Sequence, residues 1–196
     1  MTHLRLMESD GLATAASVTE DLTDFEAIQV FLARVGVSLE RWQADIPFAD
    51  DADQETILSA YRYVLAPYMQ AHGYQAADVI NVSPETPNLP ALRAKFAQEH
   101  THTEDEVRFF VAGQGHFWFN LPALPVVCVT CTAGDLLSVP ANTRHWFTMD
   151  DPAAVKTIRI FTDPSGWTPV YTDANLAAHY PALPPKAPVG AGHGQS

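Results

Sequence analysis

Apolar residues along the chain recur at two periods, and the change between them falls near residue 100. Before that point helical spacing dominates. Phe25, Ile28, Phe31, Leu32 and Val35 share one helical face, Thr23-Asp24-Phe25-Glu26 opens the run with a capping-box pattern, and Gly36 follows as a stop. A short β-like segment, VSLERWQAD, comes next. A second helix is predicted from roughly Gln54 to Ala71, with Ile57, Tyr61, Val64, Leu65 and Tyr68 on one face. Pro67 should kink it or end its regular part, and Gly73 closes the region. LPALRAKFAQ predicts a third, shorter helix, with Pro90 suited to its first turn. The first third of the chain is thus expected to be mostly helical.

From Thr101 the pattern turns to β. EVRFFVAGQGHFWFNL reads as two strands around AGQG, a hairpin signal with two glycines. VVCVT, DLLSVPA, HWFTM and TIRIF continue as short strands broken by Gly, Pro, Asn and Asp. Such a series predicts an all-β sandwich or barrel behind the helices. PALPPKAPVGAGHGQS, after Tyr180, is rich in Pro, Gly and Ala. The expected organisation is one domain over residues 1–180 and a disordered tail over 181–196.

Composition narrows the functional classes. With 196 residues and 47 % hydrophobic content the chain can bury a sizeable core. No stretch approaches twenty uninterrupted apolar residues, and no apolar run follows a basic start, so neither a membrane span nor a secretory signal is expected. Cys128 and Cys131 are the only cysteines, too few for a disulfide scaffold, and a cytoplasmic protein is the expectation. A net charge of −12 argues against nucleic acid as a partner. It also means that an anionic ligand would need a local positive centre.

The chemistry concentrates in EHTHTEDEVRFF, Glu99 to Phe110. His100 and His102, two apart, point to one face of an extended strand and form a natural chelating pair for a transition metal. Glu106 shares their parity but can converge with them only if the chain turns at Thr103–Asp105 and returns. Arg108 and Phe110 would then look into the same space. Taken alone, the run also fits a surface turn with chance histidines. GDLLSVPANTRH, Gly134 to His145, adds a glycine, a proline and a histidine at the spacing of a strand, a tight turn and a returning strand.

Together the two segments resemble the paired motifs of the cupin superfamily. HTHTEDE with Gly113 is similar to HxHxxxExxxxxxG, and Gly134, Pro140 and His145 to GxxxxxPxGxxH. Asn142 stands in place of the motif glycine, and Met149 where an asparagine is often found; Asn tolerates the left-handed backbone such a turn needs. The resemblance implies a mainly β fold with N-terminal helices, a cupin-type double-stranded β-helix or jelly-roll barrel.

ERWQAD, ALRAKF, EHTHTEDEVRFFV, SVPANTRHWF and IRIF further resemble the bacterial type of acireductone dioxygenase, from about Val37 to Tyr180. That family acts in methionine salvage on 1,2-dihydroxy-3-keto-5-methylthiopentene and dioxygen. The resemblance implies His100, His102, Glu106 and His145 as ligands of one Fe²⁺ or Ni²⁺ per monomer. It implies Arg108 as the residue associated with forming the substrate dianion, Glu99 and Asp105 as supports of metal incorporation and conformational change, and Phe96, Phe147 and Trp167 as pocket residues. For these aromatics, ordinary core packing fits the spacing equally well. The iron form is expected to give formate and 4-methylthio-2-oxobutanoate. The nickel form is expected to give formate, carbon monoxide and 3-(methylthio)propanoate.

Charge counting agrees. A divalent ion with one Glu carries about one net positive charge, so a bound dianion calls for a further cation. Arg108 can supply it through a forked guanidinium. Arg159, opposite in parity to Ile158 and Ile160, is expected to point inward as well. Four protein ligands and a chelating substrate would fill an octahedral ion, so dioxygen is expected to attack the substrate directly. Two other readings use the same shell, a cupin isomerase and a non-catalytic metal- or ligand-binding cupin. The CxxC of Cys128 and Cys131 lies in a β run, where odd separation sends the thiols to opposite faces and favours structural burial. His116 has no partner histidine nearby and is read as a non-ligand.

Overall fold

The computed structural model describes residues 1–9, 16–49, 51–163, 168–173 and 176–180. In chain order these form β1 (His3–Ser9), β2 (Ala16–Leu22), α1 (Phe25–Arg34), β3 (Ser38–Arg41), α2 (Gln54–Ala60), α3 (Arg62–His72), β4 (Ala76–Val82) and α4 (Leu89–Phe96). β5 (His100–Thr101), β6 (Glu106–Phe119), β7 (Val126–Thr132), β8 (Asp135–Val139), β9 (His145–Thr148), β10 (Val155–Phe161) and β11 (Val170–Tyr171) follow. The tail expected over 181–196 and the pocket residue Trp167 lie outside the described residues. No helix among the described residues is long and apolar enough to cross a membrane.

The strands pair antiparallel in two linked sheets. One runs β11-β5-β9-β6-β7-β1-β2. The other places β4 beside β10, β10 and β8 on either side of β6, and β3 beside β8. This is the mainly β, cupin-like architecture expected from the motifs, with the helices packed outside.

β6 joins the sheets, and here the hairpin expected at AGQG is corrected. The chain does not reverse. Glu106–Gly113 pairs with β10 and β8, and Gln114–Phe119 continues the same strand into pairing with β7 and β9. A register shift opposite Lys156–Thr157 marks a bulge just before the glycines, which bends the strand. Gly113 takes φ +69°, and a Cβ there would lie 1.8 Å from the Ala154 carbonyl oxygen. A Cβ at Gly115 would lie 2.2 Å from the Phe147 ring. The two glycines therefore serve close approach within one strand rather than a turn.

The mostly helical first third is corrected too. β1 and β2 form a hairpin whose inner strand inserts beside β7, with Leu4 opposite Val129. β4 covers the edge of β10. The described part of β2 is almost wholly exposed and β4 is half-buried, so neither carries a clean apolar alternation. The capping of α1 falls to Asp24 rather than Thr23: Asp24 Oδ1 accepts the Ala27 N–H at 2.8 Å. The helix predicted over 54–71 divides at Tyr61, and Pro67 sits inside α3, which continues to His72. The break falls where fully buried Tyr61 meets Phe109 edge-on at 5.1 Å, so tertiary packing rather than proline sets it.

The parity of β6 sorts two environments. Val107, Phe109 and Val111 pack with Ile57, Tyr61 and Leu65 under α2 and α3. Phe110 packs with Phe117, Phe119, Leu137 and Phe147 between the sheets, on the side shared by Glu106 and Arg108. Cys131 belongs to that inner cluster and Cys128 to the opposite one with Trp118 and Trp146, both thiols free and buried.

Gly113→Ala should destabilise the fold by about 2–4 kcal/mol, through a positive φ and a backbone clash at once. Urea unfolding followed by circular dichroism checks this, and the loss should exceed that of Gly73→Ala, where an added Cβ meets nothing within 4 Å.

Candidate metal centre

His100, His102, Glu106 and His145 come together from three strand ends. His100 opens β5 and stands opposite His145, the first residue of β9. His102 follows β5, the chain bends at Thr103 and Glu104, and Glu106 begins β6. The turn required by the parity argument is therefore present. It is laced to the turn before β9: Asn142 N–H donates to the His102 carbonyl at 2.8 Å, and Asp105 Oδ1 accepts the Ala141 N–H at 2.9 Å. Asn142 takes φ +63°, the left-handed backbone expected of the residue replacing the motif glycine. Asp105 is thus an exposed tie between the two half-motifs.

One donor atom from each of the four residues lies within 4.8 Å of the others, and all four side chains are buried. Ligand bonds of about 2.1 Å put opposite donors about 4.2 Å apart, so shifts of a few tenths of an ångström gather this set around one ion. The rings are oriented from behind. His100 Nδ1 lies 2.6 Å from the Gln98 carbonyl and His145 Nδ1 lies 2.8 Å from the Thr143 carbonyl. A carbonyl only accepts, so each Nδ1 carries the proton and each Nε2 presents a lone pair. His145 Nε2 then lies 2.6 Å from Glu106 Oε2, and neither atom has a hydrogen-bond partner among the described residues. Two lone pairs held that close repel unless a proton or a metal ion lies between them. Four buried donors converging in this way, three of them imidazoles, fit a metal ion.

Electrostatics favour the ligand forms. Burial pushes the His100 imidazole down to about 4, which keeps it neutral. Burial opposes the charge on Glu106, yet the Arg108 guanidinium beside it holds its carboxyl well below the usual carboxylate range. Arg108 Nε lies 2.6 Å from Glu106 Oε1. Its guanidinium carbon sits 5.1 Å from the Phe147 ring centre, 5.4 Å from Phe117 and 5.9 Å from Phe96, a cage that fixes its plane.

A cavity of about 350 Å³ opens onto this centre, lined by Phe96, His100, His102, Arg108 and Arg159 among others. Of the residues the sequence singled out for the pocket, Phe96 and Arg159 line it. Phe147 sits behind Arg108 in the core and reaches the site through that residue. Glu99 is buried just outside the cluster, its carboxylate accepting from Asn120 Nδ2 at 3.0 Å and Thr172 Oγ1 at 2.6 Å. It anchors the β11 segment, from which Tyr171 and Pro169 reach the cavity. Tyr171 and Lys95 were not read from the sequence, although Lys95 immediately precedes Phe96 on α4. His116 is no part of the cluster: its ring nitrogens meet Thr130 Oγ1 at 3.0 Å and Asp150 Oδ1 at 2.9 Å.

Comparison with known proteins agrees with this geometry. The family model for ARD/ARD' matches residues 6–169. Acireductone dioxygenase of Picosynechococcus sp. is 50 % identical over 164 residues, covering 84 % of this chain and 93 % of the relative. That of Aquifex aeolicus is 40 % identical over 181 residues, covering 92 % and 96 %. Among solved structures, acireductone dioxygenase from Bacillus anthracis with a cadmium ion in its active center is similar at a TM-score of 0.75 and 34 % identity, over 87 % of this chain and 98 % of that one. The match spans both half-motifs and the strands that hold them, and the chain belongs to the ARD/ARD' family, that of the acireductone dioxygenases.

Proposed function

We propose that the chain holds one Fe²⁺ or Ni²⁺ through His100, His102, Glu106 and His145 and oxidatively cleaves 1,2-dihydroxy-3-keto-5-methylthiopentene in methionine salvage. The observation that carries this reading is the convergence of buried lone pairs at His145 and Glu106 beside the caged guanidinium of Arg108. The cadmium ion in the Bacillus anthracis relative supports a divalent ion at this centre. When bound, such an ion orients and polarises an ene-diolate as a Lewis acid.

The chain's own groups do the rest. Arg108, buried and stacked among three phenyl rings, presents fixed positive charge to the ligand and stabilises its doubly deprotonated form. An ion that draws charge from Glu106 leaves more of that of Arg108 for the substrate. Phe96 closes one wall and limits water, and the Gln98 and Thr143 carbonyls hold two imidazoles in the tautomer a ligand needs. Glu99 and Asp105 support the centre from outside, one by tying β11 and the other by tying the two turns.

The reading is tested by stripping the protein, reloading it anaerobically with Fe²⁺ or Ni²⁺, and adding substrate and oxygen. Carbon monoxide and 3-(methylthio)propanoate should appear with nickel, and 4-methylthio-2-oxobutanoate with iron. Identical products from both forms would overturn metal control of the outcome, and no oxygen uptake by either would overturn the dioxygenase reading. His145→Ala should lower bound metal at least about 10-fold, by elemental analysis, because it removes the ligand supplied by the second half-motif. Arg108→Lys should keep metal content near normal while turnover falls roughly 100-fold, since an ammonium cannot reproduce the fork.

A further inference from the structure

Arg108 and Arg159 stand directly opposite each other on β6 and β10, and Asp78 stands opposite Arg159 on β4. Like charges in paired positions across a sheet repel. Here each arginine is met by its own carboxylate: Arg108 Nε is 2.6 Å from Glu106, and Arg159 Nε donates to Asp78 Oδ1 at 2.5 Å. A second guanidinium nitrogen of Arg159 donates to Asp78 Oδ2, making the pair bidentate. Both arginines line the cavity that contains His100 and His102. The alternate residues on these strands, Ile158 and Ile160 with Ala77 and Val79, turn the other way, into the core under α2 and α3.

Fold stability gives little reason for this pair. The side chains of Arg159 and Asp78 are 19 % and 30 % exposed, and ion pairs that wet contribute little. We propose that Asp78 is a positioning residue, holding Arg159 as a charge-balanced hydrogen-bond donor for the ligand oxygen that the metal does not take. The inference rests on the dioxygenase reading above. The substrate carries three oxygens in a row, and a chelate uses two of them. A divalent ion, Glu106, Arg108 and a dianion already sum to zero charge. A bare second arginine would leave the filled site with a surplus positive charge. Asp78 removes that surplus while its two hydrogen bonds aim the guanidinium, so Arg159 contributes direction and specificity rather than net charge.

The experiment compares Asp78→Asn, Asp78→Glu, Arg159→Met and the Asp78→Asn/Arg159→Met double variant in the metal-loaded protein. Asp78→Asn should keep metal content and thermal stability close to wild type and raise KM roughly 10-fold, with kcat changed much less. Asp78→Glu should recover most of the loss. The double variant should be no worse than Arg159→Met, because Asp78 acts through that residue. Additive losses, an unchanged KM in Asp78→Asn, or a larger loss of stability or metal in Asp78→Asn than in Arg159→Met would overturn the proposal. Absence of wild-type oxygen uptake would instead defeat the dioxygenase reading. In that case calorimetric binding of reductic acid, a small reductone with three adjacent oxygens, to the nickel-loaded proteins still decides on Asp78. Weakening by the same factor in Asp78→Asn and Arg159→Met supports it, and equal affinity across all variants overturns it.

Discussion

A carboxylate taken out of water must be matched by positive charge, and Glu106, 2 % exposed, is the carboxylate on which this molecule is arranged. Its three imidazole neighbours bring lone pairs and no charge in their neutral forms. Arg108 compensates part of the deficit at 2.6 Å, and a divalent ion would reverse it. The centre therefore goes from near neutral to cationic when filled. In a chain of net charge −12 this makes one interior point attractive to anions while the surface is not.

That arrangement depends on a strand with two loyalties. Glu106 and Arg108 are held by the sheet containing β8 and β10, and His145 by the sheet containing β5 and β9. β6 belongs to both, so the bend at its glycines sets the angle at which the two halves of the cluster meet. Gly115 also leaves room for Phe147, whose ring lies behind Arg108. Backbone geometry nine residues along β6 from the carboxylate thus reaches the guanidinium.

The convergence of His100, His102, Glu106 and His145 was legible in the sequence because its spacing is local: a histidine pair, a turn and a carboxylate lie within seven residues, and the turn before His145 carries its own signature. The same holds for α1, with its periodic apolar face and Asp24 cap, and for α4, with Pro90 in its first turn. What escaped was long-range. AGQG has the composition of a turn, and only the strands on either side decide that it bends instead. β2 and β4 show too little alternation, since one is an exposed edge and the other is half-buried. Tyr171 reaches the cavity, and Asp78 and the partners of Glu99 reach the residues beside it, through contacts between distant segments, which no local pattern encodes.

The insertion of β1 beside β7 also has a consequence in time. Leu4 pairs with Val129, so β1 waits during synthesis for a partner 125 residues later. At roughly 5–20 residues per second that interval is about 6–25 s, long compared with hairpin formation. During synthesis β1 can pair with β2 alone, leaving a small exposed ribbon whose free edge is a hazard for neighbouring nascent chains. His145 emerges after β7, so the chain can cover that edge before the ligand set is complete.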